Sequence, residues 1–222
     1  DRNHPAVVMW SLGNEAGFGQ NFEAASEAVR ALDESRPIHY ERAPFGSAAT
    51  DVDSVMYPAV DWLRSMGRKV DSRPQFVCEY SHAMGNAIGN LDEYVEAFER
   101  YPRLIGGCIW DWVDQGLRRP NPDGLAAPNG RKDYFAFGGD FGDKPNDGNF
   151  CMNGIVRADR SLTAKAQQVK YSYQPARIEF DGKRIAVRNE LFHTDLSQLC
   201  ELAWSVRRDG EEIAAGTSAL PA

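Results

Sequence analysis

The chain has 222 residues, 42% of them hydrophobic and 26% charged, and a formal net charge of −7. That balance suits one large globular domain, or one and a half ordinary ones, and excludes a disordered tail. Lys and Arg are scattered and no apolar run reaches the roughly 18 residues of a membrane span, so neither nucleic acid nor a membrane is an expected partner; the mild acidity suits a neutral substrate better than a polyanion.

The opening DRNHPAVVMW is not a signal peptide; it lacks an initiator Met and enters a strand pattern at once. It reads as the middle of a longer, cytoplasmic polypeptide. Ala6 to Leu12 (AVVMWSL) is a continuous apolar run of the kind that forms a strand buried on both faces. After the Gly-rich GNEAGFG comes a helix with Phe22, Ala25, Val29 and Leu32 on one face and Pro37 beyond its end. Short strands follow at Ile38 to Tyr40 and Val55 to Tyr57, then a helix over PAVDWLRSMG and a strand at PQFVCEY. Asn90 and Glu93 have the spacing of a capping box for a helix whose Leu91, Tyr94, Val95 and Phe98 share a face. Gly106 to Trp112 (GGCIWDW) supplies the last strand of this half.

Strands alternating with helices predict βα units around a parallel sheet. Polar groups gather where the strands end: Asn14 and Glu15, Glu41, Tyr57, Glu79, Trp110 and Asp111. That is where a (β/α)8 barrel keeps its chemistry. The expected fold class is α/β: the C-terminal part of a TIM barrel, followed by the start of an antiparallel β-sandwich. Residues 1–118 are assigned to a partial barrel (strands 4 to 8). Residues 119–170, crowded with Pro, Gly, Asn and Asp, are assigned to long loops that complete the active-site region. Residues 171–222 are assigned to the beginning of the sandwich, with hairpins at ARIEF/RIAVRN and CELAWSVRR/EEIAAG. A barrel needs eight strands and this chain offers five, so Val8, Met9, Val77 and Ile109 are expected to lack partners on one side.

The paired glutamates carry the chemistry. Glu15 ends AVVMWSLGNE and Glu79 ends QFVCE, and glycoside hydrolysis needs such a pair: an acid for the leaving oxygen and a carboxylate at the anomeric carbon. Position alone favours the plainer reading, solvated glutamates or partners of a nearby Arg. Around them, Asn14 and His82 suit sugar hydroxyls, Tyr57 suits contact with the nucleophile, and Trp110 offers a flat platform for a pyranose face. GNEAGFG lacks the spacing of a phosphate loop, and there is no GxSxG or HExxH. His4, His39, His82 and His193 form no local ligand cluster, and GGDFGDKPNDGN has the wrong spacing for an EF-hand. Cys78, Cys108, Cys151 and Cys200 form no CxxC; Cys78 and Cys108 lie inside apolar runs and read as small buried hydrophobes, and free thiols suit a reducing compartment.

DRNHPAVVMWSLGNEAGFG, QFVCEYSHAMGN, YPRLIGGCIWDWVDQGL and GGDFGDKPNDGNFCMNGIV resemble the long β-galactosidases of glycoside hydrolase family 2, from residue 1 to about 175 and more faintly beyond. CEYSHAMGN is more similar to those enzymes than to the family's β-glucuronidases or β-mannosidases. The resemblance implies a retaining hydrolase of terminal β-D-galactosyl residues, with Glu15 as acid/base and Glu79 as nucleophile. It implies Tyr57 near the nucleophile and His82 and Trp110 on the galactosyl group. It also implies Mg2+ at Glu15, Na+ at the Phe150 carbonyl and the Asn153 side chain, and a homo-oligomeric parent. The family's remaining barrel strands and metal ligands are absent. The alternatives are another family 2 hydrolase, a β-mannosidase or β-glucuronidase, or a fragment that in isolation is inert or merely binds sugar.

Overall fold

A computed structural model describes residues 1–70, 73–126 and 130–220. The chain divides into two compact units, Asp1–Ser172 and Tyr173–Ala222.

In the first unit the strands β1 (Trp10–Ser11), β2 (Ile38–His39), β3 (Asp53–Met56), β4 (Gln75–Tyr80) and β5 (Leu104–Ile109) are parallel and follow one another in sequence order. β1 pairs with β2, β3 with β4 and β4 with β5, and a single parallel bridge, His39 to Val52, links the two groups. The sheet is open, as five strands require. Ala6 to Leu12 is strand only at Trp10–Ser11, and the final strand begins at Leu104 rather than Gly106.

Helices α1 (Gln20–Leu32), α2 (Val60–Gly67) and α3 (Leu91–Arg100) fall between the strands as the pattern predicts. Phe22 of α1 stacks on Tyr40 at 4.3 Å, but Leu32, placed by periodicity on the same face, is exposed. Leu91 and Val95 of α3 are buried, and Tyr94 and Phe98 pack partly against the same core. The capping box does not form: Asn90 is left-handed and its side chain makes no cap hydrogen bond.

Strand alternation decides which apolar residues find partners. Val77 is fully buried with Leu63, Leu91, Ala97 and Leu104 in the core beneath the helices, and Ile109 packs against it. The expectation that both lack partners is therefore corrected. Phe76 and Cys78, between the core-facing positions of β4, turn to the other face, toward a cleft they line with Val8 and Met9. Val8 stays 74% exposed.

Buried polarity ties β3 to β5. Asp53 accepts from the Gly46 N–H at 3.0 Å and faces Arg103 Nη2 at 3.3 Å, and both side chains are almost wholly enclosed. Arg103 also donates to the Met66 carbonyl at 3.0 Å. Asp53→Ala is expected to destabilise the domain by about 3–5 kcal/mol, because a buried guanidinium loses its carboxylate. The check is the urea unfolding midpoint; an unchanged midpoint would show the pair to be energetically silent.

The stretch assigned to long loops holds more order than its composition suggests, although residues 127–129 lie outside the described residues. β6 (Leu117–Pro120) and β7 (Asp133–Ala136) form an antiparallel hairpin, and α4 (Ala164–Ser172) sends Ala166 and Val169 onto the main core. Asn153, Gly154, Ile155 and Val156 are all buried, and Val113 bridges Val156 in parallel. A Cβ on Gly154 would lie 2.0 Å from the Asp114 nitrogen, so only glycine fits there.

The second unit holds two antiparallel hairpins, β8 (Ala176–Phe180) with β9 (Ile185–Asn189) and β10 (Glu201–Arg208) with β11 (Glu211–Ala219). Asp181 closes the first turn by accepting the N–H groups of Lys183 and Arg184, and Asp209–Gly210, both at positive φ, close the second. Among the described residues the hairpins remain separate two-stranded sheets. No helix among the described residues is long and apolar enough to cross a membrane.

Candidate active site

The C-terminal strand ends converge on one cleft. Asn14, Glu41, Glu79 and Trp110 line it, together with His39, Phe76, Cys78 and Cys108. Three non-glycine residues at these ends, Glu15, Tyr57 and Ser81, have φ near +48°, +47° and +47°. Left-handed backbone is costly for such residues and persists where surrounding contacts over-determine it, a habit of functional sites.

Glu79, on β4, is the best-held carboxylate of the sequence-predicted pair. The Tyr57 hydroxyl donates to its Oε2 at 2.9 Å, and the Tyr57 backbone N–H donates to its carbonyl at 2.8 Å. Burial lifts the Glu79 carboxyl above the usual range. The negative charges of Glu15 and Glu41 push the same way, while the Tyr57 hydrogen bond and His82 pull it down. Tyr57 itself is held protonated far above its ordinary value, by burial first and then by its bond to Glu79.

Glu15 lies on the exposed loop after β1, and its charge reaches both Glu79 and Tyr57. Its backbone N–H donates to Glu41 Oε1 at 2.7 Å. The next residues are held by Tyr40, whose hydroxyl accepts from the Ala16 N–H at 3.0 Å and donates to the Gly17 carbonyl at 2.8 Å. These clasps escape sequence reading: Glu41 shows only as a polar strand end and Tyr40 as a core aromatic, and their partners lie more than twenty residues upstream.

The structure gathers the other predicted residues around Trp110. The Trp110 carbonyl accepts from Ala83 N–H at 2.7 Å and its N–H donates to the Tyr80 carbonyl at 3.1 Å, which fixes the segment carrying His82 beside β5. The His82 ring stacks on Phe150 at 5.5 Å and lies 6.1 Å from the Tyr57 ring. Among the described residues its Nε2 is buried with no hydrogen-bond partner. Oriented by hydrogen-bond sense, the buried Asn153 amide accepts from Trp110 Nε1 at 3.0 Å and donates to the Cys151 carbonyl at 3.2 Å. Cys78 is pushed up to about 11 by burial and stays a thiol.

Metal sites were also expected here. Among the described residues no group of three or more His, Cys, Asp or Glu is placed to hold a metal. Glu15 by itself builds no cage for Mg2+, and the Asn153 oxygen, which accepts from Trp110 Nε1, is at most one of the several oxygens Na+ needs. These residues alone do not fit either ion.

Tyr57→Phe isolates one of these contacts. In an enzyme carrying this domain in which Glu79 reacts, it is expected to lower kcat/KM by roughly 10- to 100-fold, the worth of a hydrogen bond to a charged group at about 1.5–3 kcal/mol. The bond favours the ionised form of Glu79, so its loss raises that carboxyl further and moves the acid limb of the kcat/KM profile to higher pH. A limb that stays in place or moves to lower pH would contradict this role.

Parallel strands in sequence order, helices over one face and carboxylates at the C-terminal strand ends define a segment of a TIM-barrel catalytic domain. Residues 1–178 match the family described as "Glycosyl hydrolases family 2, TIM barrel domain". The chain belongs to glycosyl hydrolase family 2. Among solved structures it aligns with a family 2 member from Bacteroides cellulosilyticus DSM 14838 at 16% identity and a TM-score of 0.53, over 97% of this chain and 28% of that one. It aligns with Bacteroides uniformis β-glucuronidase 3 at 19% identity and a TM-score of 0.48, over 82% of this chain and 27% of that one. The first likeness is one of fold, and the chain spans less than a third of the length of either structure.

Proposed function

We propose that these residues form the catalytic centre of a retaining β-galactosidase acting on terminal, non-reducing β-D-galactosyl groups such as that of lactose. The observation that carries the reading is the Glu79 carboxylate at a strand end, hydrogen-bonded by Tyr57 and within the field of Glu15, in a family 2 barrel domain. Glu79 attacks the anomeric carbon while Glu15 gives its proton to the departing glycosidic oxygen, so the C–O bond breaks as a glycosyl ester forms. Glu15 then takes a proton from water, whose oxygen displaces Glu79 and frees the sugar with net retention. Retention requires the two carboxyl groups to approach within about 5–5.5 Å in the intact site.

The sugar preference rests on two supports. The CEYSHAMGN segment is similar to the galactosidases of the family, and its His82, whose buried Nε2 is without a hydrogen-bond partner among the described residues, lies beside Phe150 and Tyr57. The cleft charge agrees. Among the described residues that line it there is no Lys or Arg, whereas a β-glucuronide would bring a carboxylate toward Glu41 and Glu79. A neutral glycone therefore fits better than a uronate. In this reading Mg2+ at Glu15 and Na+ at Phe150 and Asn153 need ligands from beyond these residues. Isolated, the 222-residue segment is expected to be inert toward substrate.

The test is a panel of nitrophenyl β-D-galactoside, β-D-glucuronide and β-D-mannoside with the enzyme carrying this domain, with the product anomer read by NMR. Galactoside turnover giving β-galactose first is expected. A glucuronide or mannoside preference would replace the sugar assignment, and an α-product would remove the retaining mechanism.

A further inference from the structure

We propose that Glu41 is a positioning residue for the acid/base: its carboxylate clamps the backbone of Glu15 and so aims the Glu15 side chain at the leaving oxygen. The inference rests on the reading of Glu15 as acid/base.

Three observations meet at this contact. Glu15 Oε atoms hang from a backbone at φ +48°, a region that residues with a Cβ seldom occupy, so something must hold it there. The Glu15 N–H donates to Glu41 Oε1 at 2.7 Å, the short length of a charge-assisted bond. The Glu41 side chain is only 4% exposed, and the half-exposed Arg42 side chain stands off from it at 3.5 Å. Burying a carboxylate is costly unless its oxygens are used, and here one is used on the backbone of a reacting residue.

The surrounding loop sharpens the assignment. Glu41 and its neighbour Tyr40 engage three successive residues, at Glu15 N–H, Ala16 N–H and Gly17 C=O. Tyr40 holds the loop beyond Glu15, while Glu41 grips the reacting residue itself. Because β2 ends at His39, Glu41 projects from the same rim as Glu79 and lines the same cleft. A shift of Glu15 from its productive place weakens proton delivery and leaves attack by Glu79 largely intact. A proton matters little to a leaving group that departs readily as an anion, so a clamp on the acid/base has a signature that a merely structural residue lacks.

The experiment uses Glu41→Leu, Glu41→Asp and Glu41→Gln in the enzyme carrying this domain, with Glu15→Gln in parallel. The probes are phenyl and dinitrophenyl β-D-galactosides, with and without azide. Glu41→Leu should lose about 100-fold in kcat/KM on the phenyl substrate, the scale of a misplaced catalytic group, and far less on the dinitrophenyl one. Glu41→Asp withdraws the acceptor by one methylene and should show the same selective loss at smaller size, which keeps the test open if the Leu variant does not fold. Glu41→Gln retains an oxygen for the N–H and should stay within a few-fold of the parent. Azide should speed the dinitrophenyl reaction of the Leu variant, as it should for Glu15→Gln. Equal losses on both substrates, no loss, or a full loss in Glu41→Gln would overturn the clamp. If Glu15→Gln itself shows no leaving-group dependence, the acid/base reading fails and takes this inference with it. If it does and the Glu41 variants do not, only the clamp fails.

Discussion

Glu79→Gln is expected to abolish turnover on every glycoside tested, by more than about 10,000-fold, without unfolding the domain. Glutamine is nearly isosteric with glutamate, and its amide oxygen still accepts from the Tyr57 hydroxyl, so the bond that now spans 2.9 Å survives. The half-buried site around β4 keeps its packing, since Val77 and Tyr80, the buried neighbours of Glu79, are untouched. What disappears is the only group assigned to attack the anomeric carbon. An amide is a poor nucleophile, and a better leaving group does not repair that defect, so the loss should be the same for phenyl and dinitrophenyl substrates. Retained thermal melting with lost turnover, and no covalent adduct by mass spectrometry with a fluorinated glycoside, is the expected result. Turnover within tenfold of the parent on any substrate would remove Glu79 from the nucleophile's place.

The strands and helices of the first unit were legible where local pattern and tertiary demand agree. PQFVCEY is apolar on both faces because one face meets α2 and α3 and the other lines the cleft, and LDEYVEAFER carries a helical stripe because that stripe meets the same core. The hairpin of β6 and β7 was hidden by Pro120, Pro122 and the glycines beside it, which mark turns without saying what they join. Helix α4 was hidden because AKAQQVKYS packs only Ala166 and Val169 partly against the core, fully buries a polar residue, Ser172, and shows no broad apolar face. Val77 was misassigned because alternation reveals two faces without telling which one meets the helices. In the proposed site, Glu15 and Glu79 stand out by following apolar runs. Glu41 does not, because its function lies in a hydrogen bond to a backbone group 26 residues away, and side-chain pattern carries no signal of that.

Glu15→Gln should divide substrates by their leaving groups, and this division separates an acid/base from a nucleophile. A phenyl glycoside releases a basic phenolate and needs its oxygen protonated as the bond breaks, so its kcat/KM should fall by about 100- to 10,000-fold, the usual worth of general acid catalysis. A dinitrophenyl glycoside leaves readily as an anion, so the first step should proceed near the parent's rate. The glycosyl ester on Glu79 then accumulates, because water now lacks a general base, and kcat falls while KM falls with it. Azide attacks that ester without needing a base. It should restore turnover and yield a β-glycosyl azide, the retained anomer, since two displacements at the same carbon have occurred. The geometry makes the outcome specific: the Glu15 backbone is held at Glu41, so the glutamine occupies the place of the carboxylate and only the proton is lost. An α-azide, or azide rescue in Glu79→Gln in place of Glu15→Gln, would reverse the two roles. Equal loss on phenyl and dinitrophenyl substrates would exclude Glu15 as the proton donor.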